Sequence, residues 1–332
     1  MQYKILGKTN LKTSVIGFGC NQLGSANWGF KKFDKAQIAI HKAIELGVNH
    51  FDTADVYGNR ISEEWLGNIL EGKRKKIILS TKAGLTGDGG RNGTREHLTY
   101  SINNSLKKLR TDYIDIFYLH RPDPNVPLEE SLDTIVEFIR AGKVRFGGVS
   151  QLNPNLLKSI RGNQAVSCLQ YCLNFFENKT INAIDAQIEH EQYGLVTYSP
   201  FASGWIFNKK YRKLANSTYP FFKKGYYRSE FPLYSRLFQL AEKSNVSLKS
   251  MALNWIMRNE KVNTILVGAS TQQQVEENAM VNVYSMQSDL LTKIDNLVAK
   301  YSPQKRFVRS FMWRIGVGLA RGKIRMINQK VR

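Results

Sequence analysis

Eight short apolar runs, each followed by a helical pattern or a long loop, constrain this chain more than any other feature. They are SVIGFG (14–19), NHFDTA (49–54), KIILSTK (76–82), YIDIFYLH (113–120), VRFGGVS (144–150), AVSCLQY (165–171), GLVTYSP (194–200) and NTILVGA (263–269). Their β-branched content suits strands buried on both faces, and their alternation with helices predicts a parallel sheet covered by helices. Eight such units returning around one axis favour a closed (β/α)8 barrel (a TIM barrel, α/β class) over an open doubly wound sheet. The opening stretch MQYKILGKTNLKTSVIGFG lacks the long apolar core of a signal peptide and reads as a β-hairpin leading into the first strand.

Local signals place the helices between these strands. Asp34 is expected to cap a first turn, with Gln37 in the reciprocal position of a capping box. Ser62, followed by Glu63 and Glu64, suits a helix start. Thr94 opens a helix in which Leu98, Ile102, Leu106 and Leu109 recur on one face. Gly47 and Gly142 fall where helices should stop. Residues 1–300 read as one barrel domain. The aromatic, basic segment at about 203–235 reads as a long rim loop after the seventh strand, and residues 301–332 as a basic C-terminal extension.

Composition narrows the function classes. The chain has 332 residues and a formal charge of +21. Residues 301–332 hold nine of its 48 Lys and Arg and none of its 27 Asp and Glu, which leaves +12 on the rest. Such a field favours anionic partners, whether phosphorylated cofactors, acidic metabolites, nucleic acid or acidic lipid heads. Three cysteines without a CxxC pair give no disulfide framework, and with five scattered histidines they give no metal site. No run approaches the roughly 18 apolar residues that span a bilayer. A cytoplasmic protein is expected, with contact at the inner membrane surface left open. In the tail, Phe307, Phe311, Ile315 and Leu319 recur every fourth residue among arginines. That stripe suits packing on the barrel or an acidic lipid surface or partner. No specific nucleic-acid module is recognisable.

The chemistry concentrates at strand ends. Asp52 closes NHFD and Tyr57 follows five residues later; Lys82 ends ILSTK; His120 ends IFYLH. In a barrel these four side chains meet at one rim. Hydride attack on a carbonyl places negative charge on its oxygen, and a proton must arrive there. A phenol beside an ammonium is expected to have its pKa lowered, so Tyr57 suits the general acid and Lys82 its activator. Asp52 holds the ammonium, and His120 donates to the substrate oxygen. No side chain supplies a hydride, so a nicotinamide cofactor is required. The glycine-rich KAGLTGDGGRNG (82–93) lacks the GKS or GKT ending of a phosphate loop and reads as a flexible rim loop.

NHFDTADVYG, SEEWLG, ILSTK and IFYLHRPDP together resemble the aldo-keto reductase family over about residues 3–297. The resemblance carries the family's catalytic tetrad onto Asp52, Tyr57, Lys82 and His120. It also implies cofactor contacts. Ser150 and Gln151 stand where the family has a serine–asparagine pair on the nicotinamide amide, the glutamine being a departure. Gln170 matches the amide-binding glutamine, and Tyr198 the ring that stacks on the nicotinamide. Ser199 belongs to the stretch that wraps the pyrophosphate. On the eighth unit, Gly268, Ser270, Gln274, Glu277 and Asn278 fall at the adenosine end. The family's basic residue for a 2′-phosphate is absent there, since Gly268–Asn278 contains no Lys or Arg. Family habit places NADPH ahead of NADH. The implied reaction is reduction of an aldehyde, ketone or keto-sugar carbonyl, on a small substrate that the charge field allows to be anionic. The same family includes channel-associated subunits, so a cofactor-binding regulatory or interaction protein with little turnover is the alternative.

Overall fold

The computed structural model describes residues 1–25, 29–202, 204–207, 231–281 and 283–300. Most of the basic rim segment and the whole C-terminal extension lie outside these residues, so the expectations placed on them stay with the sequence. All eight predicted strands form. They are β3 (Ile16–Gly19), β4 (His50–Asp52), β5 (Ile78–Ala83), β6 (Ile114–Leu119), β7 (Val144–Ser150), β8 (Cys168–Cys172), β9 (Gly194–Tyr198) and β10 (Val262–Val267). Every neighbouring pair is parallel, and β10 closes on β3 through Ile265 opposite Ile16 and Val267 opposite Phe18. The antiparallel hairpin of β1 (Tyr3–Ile5) and β2 (Lys12–Ser14) precedes them.

The strands close because both of their faces are covered. All residues of β5 and β6 are buried. Inside, Ile78, Ile116, Cys168, Val196 and Leu266 from five strands pack with Leu6 and Leu11 of the hairpin, which plugs one end of the barrel. At about 25 cal/mol per Å² of apolar surface, each fully buried side chain of this set contributes roughly 1.5–3 kcal/mol. Outside, α4 (Leu128–Arg140) turns Leu132, Ile135 and Phe138 inward at helical spacing, and the Phe138 ring meets Phe117 of β6 edge-on at 5.8 Å.

The other helices are α1 (Phe33–Glu45), α2 (Ser62–Ile69), α3 (Arg95–Leu109), α5 (Pro154–Ser159), α6 (Lys179–Glu191), α7 (Phe231–Lys243), α8 (Leu248–Met257), α9 (Gln272–Ala279) and α10 (Ser288–Lys300). Thr94 caps α3 as expected, its side chain accepting from the His97 amide. Gly47 and Gly142 follow α1 and α4 with φ of +88° and +72°. Asp34 does not cap α1. The helix begins one residue earlier, with Lys32 in the cap position and no side-chain cap bond, so Asp34 acts only as an acid in the first turn. Ser62 is the first residue of α2, but its hydroxyl is spent on the Cys20 carbonyl and on Thr53.

Contacts divide the chain into two compact units. One comprises Met1–Ser203 with Lys249–Met286 and contains the barrel and every residue considered for chemistry. The other comprises Gly204–Leu248 with Gln287–Arg332; within it α7 packs with α10, and Ile206, Tyr234, Phe238 and Ala241 line an open cleft. Among the described residues no helix is long and apolar enough to cross a membrane, and no cluster suits a metal ion.

The loop after β4 has a backbone that only a glycine can start. Gly58, Asn59 and Arg60 all have positive φ, at 56°, 56° and 71°. A Cβ on Gly58 would stand 1.9 Å from the Leu23 carbonyl oxygen. Gly58→Ala is therefore expected to lose about 1–3 kcal/mol of stability in urea titrations followed by tryptophan fluorescence. A variant as stable as the parent would show that this loop relaxes freely.

Candidate active site

Parallel strands bring their carboxyl ends to one rim, and three consecutive units deliver the four expected side chains there. Asp52 is the last residue of β4, Tyr57 sits in the loop that follows, Lys82 is next to last in β5, and His120 follows β6 directly. Register sets the columns: Asp52 lies opposite Ser80, and Lys82 opposite Tyr118.

Lys82 is wholly buried, which an ammonium tolerates only with dense compensation. Its Nζ donates to Asp52 Oδ1 at 2.5 Å and to the Thr53 carbonyl at 2.7 Å, and lies 4.9 Å from the centre of the Tyr57 ring. The other carboxylate oxygen, Asp52 Oδ2, accepts from Ser80 Oγ at 2.7 Å and from Gln170 Nε2 at 2.9 Å. Burial alone would depress Lys82; the charges of Asp52 and Tyr57 and the hydrogen bonds they accept outweigh it and hold the ammonium above its ordinary value. The lysine stays charged through the physiological range.

Tyr57 departs from expectation. Burial is the largest influence on its phenol and raises it, and the Lys82 charge and hydrogen bond pull downward without prevailing. The lowering expected from a neighbouring ammonium is present, yet desolvation wins because Asp52 spends part of the positive charge. The phenol therefore holds its proton at neutral pH, as a donor must. His120 meets the Tyr57 ring edge-on at 5.6 Å between centres. Burial, then Lys82 and Arg121, push the imidazole well below its ordinary value, so it is neutral. Its Nδ1 is buried without a hydrogen-bond partner.

The residues expected around a cofactor occupy the neighbouring strand ends. Ser150 ends β7 and is buried opposite Gln170 in β8. Tyr198 ends β9 with its ring half-buried, and burial raises its phenol strongly. Gln151 and Ser199 both hold left-handed backbone, at φ of 53° and 55°, which costs a non-glycine residue about 1 kcal/mol or more. Gly268 follows β10, and a Cβ there would meet the Gln22 amide at 1.9 Å, so any other residue would displace that side chain. Thr271 caps α9, Gln274 accepts from the Ser270 amide at 2.7 Å, and Asn278 donates to the Gly268 carbonyl at 3.4 Å. A half-buried aromatic ring and this run of strand-end polar groups fit a nicotinamide nucleotide lying across the barrel mouth.

Two expected contacts are already spoken for. Gln170 spends an amide hydrogen on Asp52, and Glu277 pairs with Lys249 of α8 at 2.5 Å, which holds its carboxyl below the usual range. Sequence reading missed Lys249, which lies far from Glu277 in the chain. It missed Ser80 as well, although a polar residue two positions before Lys82 in a buried strand is a readable sign of an inward polar column. Asp55 and Glu63 also lie buried, and burial pushes Asp55 up to about 7 and Glu63 upward.

A model of the aldo/keto reductase family matches residues 15–299. L-glyceraldehyde 3-phosphate reductase of Escherichia coli O157:H7 is 28% identical over 327 residues, covering 90% of this chain and 93% of that protein. Aldo-keto reductase YhdN of Bacillus subtilis (strain 168) is 28% identical over 316 residues, covering 90% and 95%. Among solved structures, glycerol dehydrogenase AKR11B4 from Gluconobacter oxydans superposes with a TM-score of 0.77 at 26% identity, covering 91% of this chain and 96% of that one. The fold alone is also shared with the holo form of aldo-keto reductase AKR11C1 from Bacillus halodurans, at a TM-score of 0.77 and 24% identity, covering 92% and 99%. With barrel, rim chemistry and family model in agreement over most of its length, the chain belongs to the aldo-keto reductase family of NAD(P)H-dependent oxidoreductases.

Proposed function

We propose that the protein reduces an aldehyde, ketone or keto-sugar carbonyl to an alcohol, with Tyr57 as the proton donor. The observation that carries this reading is the fully buried Lys82 ammonium held between Asp52 and Tyr57 at the barrel rim. When bound, the reduced nicotinamide supplies the hydride. Tyr57 holds a proton for the oxygen that gains charge, and the Lys82 ammonium stabilises the phenolate left behind. His120, neutral and beside Tyr57, orients the carbonyl oxygen by hydrogen bonding. Ser150, Gln151, Gln170, Tyr198 and Ser199 would hold the nicotinamide and pyrophosphate, and Gly268 through Asn278 the adenosine.

NADPH stands ahead of NADH on family habit, and the basic body supports a phosphorylated nucleotide. Ser270 and Gln274 are neutral, so the local site tolerates either. Arg121 supports an anionic substrate. It follows His120 directly, its charge reaches Tyr57, His120 and Tyr198, and among the described residues its side chain forms no ion pair or hydrogen bond. The Escherichia coli relative named above has a phosphorylated aldehyde in its name, which is consistent with such a cation at the mouth.

Three measurements test this reading. Loss of reduced-cofactor absorbance with a panel of aldehydes and keto-sugars is expected, and Tyr57→Phe should lower kcat by about 10²–10⁴-fold. Tight cofactor binding without turnover across the panel would instead favour the regulatory alternative. Gln274→Arg should shift the NADPH-to-NADH affinity ratio toward NADPH by about 10–100-fold in fluorescence titrations, the worth of one charged hydrogen bond. Unchanged affinities would place the 2′-position elsewhere. Arg121→Gln should raise KM for a phosphorylated aldehyde about tenfold more than KM for a neutral one of the same length. Equal changes would remove Arg121 from substrate recognition.

A further inference from the structure

Below Asp52 the barrel interior carries a polar column that the carbonyl chemistry does not touch. His50 lies two residues before Asp52 on β4, and Ser80 two before Lys82 on β5, so each shares its neighbour's face. His50, Ser80, Thr13 and Thr264 are all wholly buried. Their contacts run in line from the rim toward the hairpin. Ser80 Oγ donates to Asp52 Oδ2 at 2.7 Å and lies 3.1 Å from His50 Nε2. His50 Nδ1 lies 3.1 Å from Thr13 Oγ1, which is 2.9 Å from Thr264 Oγ1. Four polar side chains in an apolar interior are costly unless every one is paired in a consistent direction.

Counting hydrogens fixes that direction. A serine hydroxyl has one hydrogen and a carboxylate none, so the Ser80 hydrogen belongs to Asp52. The hydrogen between Ser80 and His50 must then sit on Nε2. Three charged groups act on the ring: Asp52 and Asp115, which favour a second proton, and Lys82, which opposes it. Burial outweighs them and pushes His50 down to about 4, leaving Nδ1 bare at neutral pH. Thr13 supplies the hydrogen to Nδ1. Its alternative acceptor, the Ser14 carbonyl, is farther away at 3.3 Å, and the single Thr264 hydrogen goes either to that carbonyl or to Thr13 Oγ1.

We propose that His50 is a positioning residue for the active site: with Thr13 fixing its tautomer, it donates to Ser80, and so commits the Ser80 hydrogen to the carboxylate that holds Lys82 beside Tyr57. The opposite tautomer would present a bare Nε2 and draw the Ser80 hydrogen away from Asp52. The proposal rests on the reduction reading for its effect on turnover, but not for the state of the ring.

Long-range ¹H–¹⁵N correlation of the imidazoles in the full-length protein reads that state, with His50 assigned by its loss in His50→Gln. The expected result is a neutral, Nε2-protonated ring whose shifts stay fixed between about pH 5.5 and 8.5. In Thr13→Val the signal should move toward a mixture of tautomers. An Nδ1-protonated or charged ring, or a ring indifferent to Thr13→Val, overturns the proposal even if the protein proves inactive. In turnover assays, His50→Leu and Ser80→Ala should lower kcat about tenfold, move the basic limb of its pH profile, and change KM for cofactor and carbonyl far less. His50→Gln keeps an N–H donor at similar reach and should recover most of the loss. Variants that lose only thermal stability, with an unmoved pH profile and no rescue by glutamine, would reduce His50 to a core residue. Should His50→Leu fail to fold, Ser80→Ala and the Thr13→Val spectra decide the matter.

Discussion

The Lys82–Asp52 pair governs how the interior of this protein is built. An ammonium buried in an apolar barrel is expensive, and removing one partner of such a pair typically costs about 3–5 kcal/mol. The structure meets that cost with a set of donors and acceptors drawn from three strands and the residue after one of them: Asp52 from β4, Ser80 from β5, Gln170 from β8 and the carbonyl of Thr53 just past β4. Because Gln170 lies four strands from β4 on either path around the ring, the carboxylate is gripped from opposite walls. The charge that makes Tyr57 useful also decides which residues may line the barrel.

That arrangement separates two demands on Tyr57. A phenol is protonated at neutral pH and burial raises it further, so in the proposed reaction the donor is loaded beforehand. The nearby ammonium favours the anion once the proton has gone. Desolvation and charge pull against each other at Tyr57, and the neutral His120 adds no further charge beside them.

Much of this was legible in the sequence, and the reasons for the remainder are physical. The eight strands could be read because parallel strands covered on both faces are continuous apolar runs, and the hairpin because its short segments flank Gly7 and Thr9. The placement of Asp52, Lys82 and His120 could be read because each stands at the end of such a run, with Tyr57 in the loop after the first. The Asp34 cap failed because neighbouring contacts, not the capping residue alone, choose where α1 begins. Lys249 against Glu277 and Gln170 against Asp52 join positions 28 and 118 residues apart, and nothing local marks such pairs. The net direction at Tyr57 depends on how many atoms surround the ring, a quantity absent from a linear chain. His50 and Ser80 did carry a sign, since each stands two places before a charged residue in a strand that is otherwise apolar.

The closure of β10 onto β3 has a consequence for the order in which this interior can close. Ring completion joins residues 16–18 to 265–267, near the two ends of the barrel sequence. As a ribosome releases the chain from its amino end, β4 and β5 emerge early and can bring Asp52 to Lys82, but Gln170 comes out much later and Thr264 later still. Until the final strand docks, the ring stays open between β9 and β3, so a nascent chain halted before residue 262 cannot yet close the barrel around the Lys82 charge.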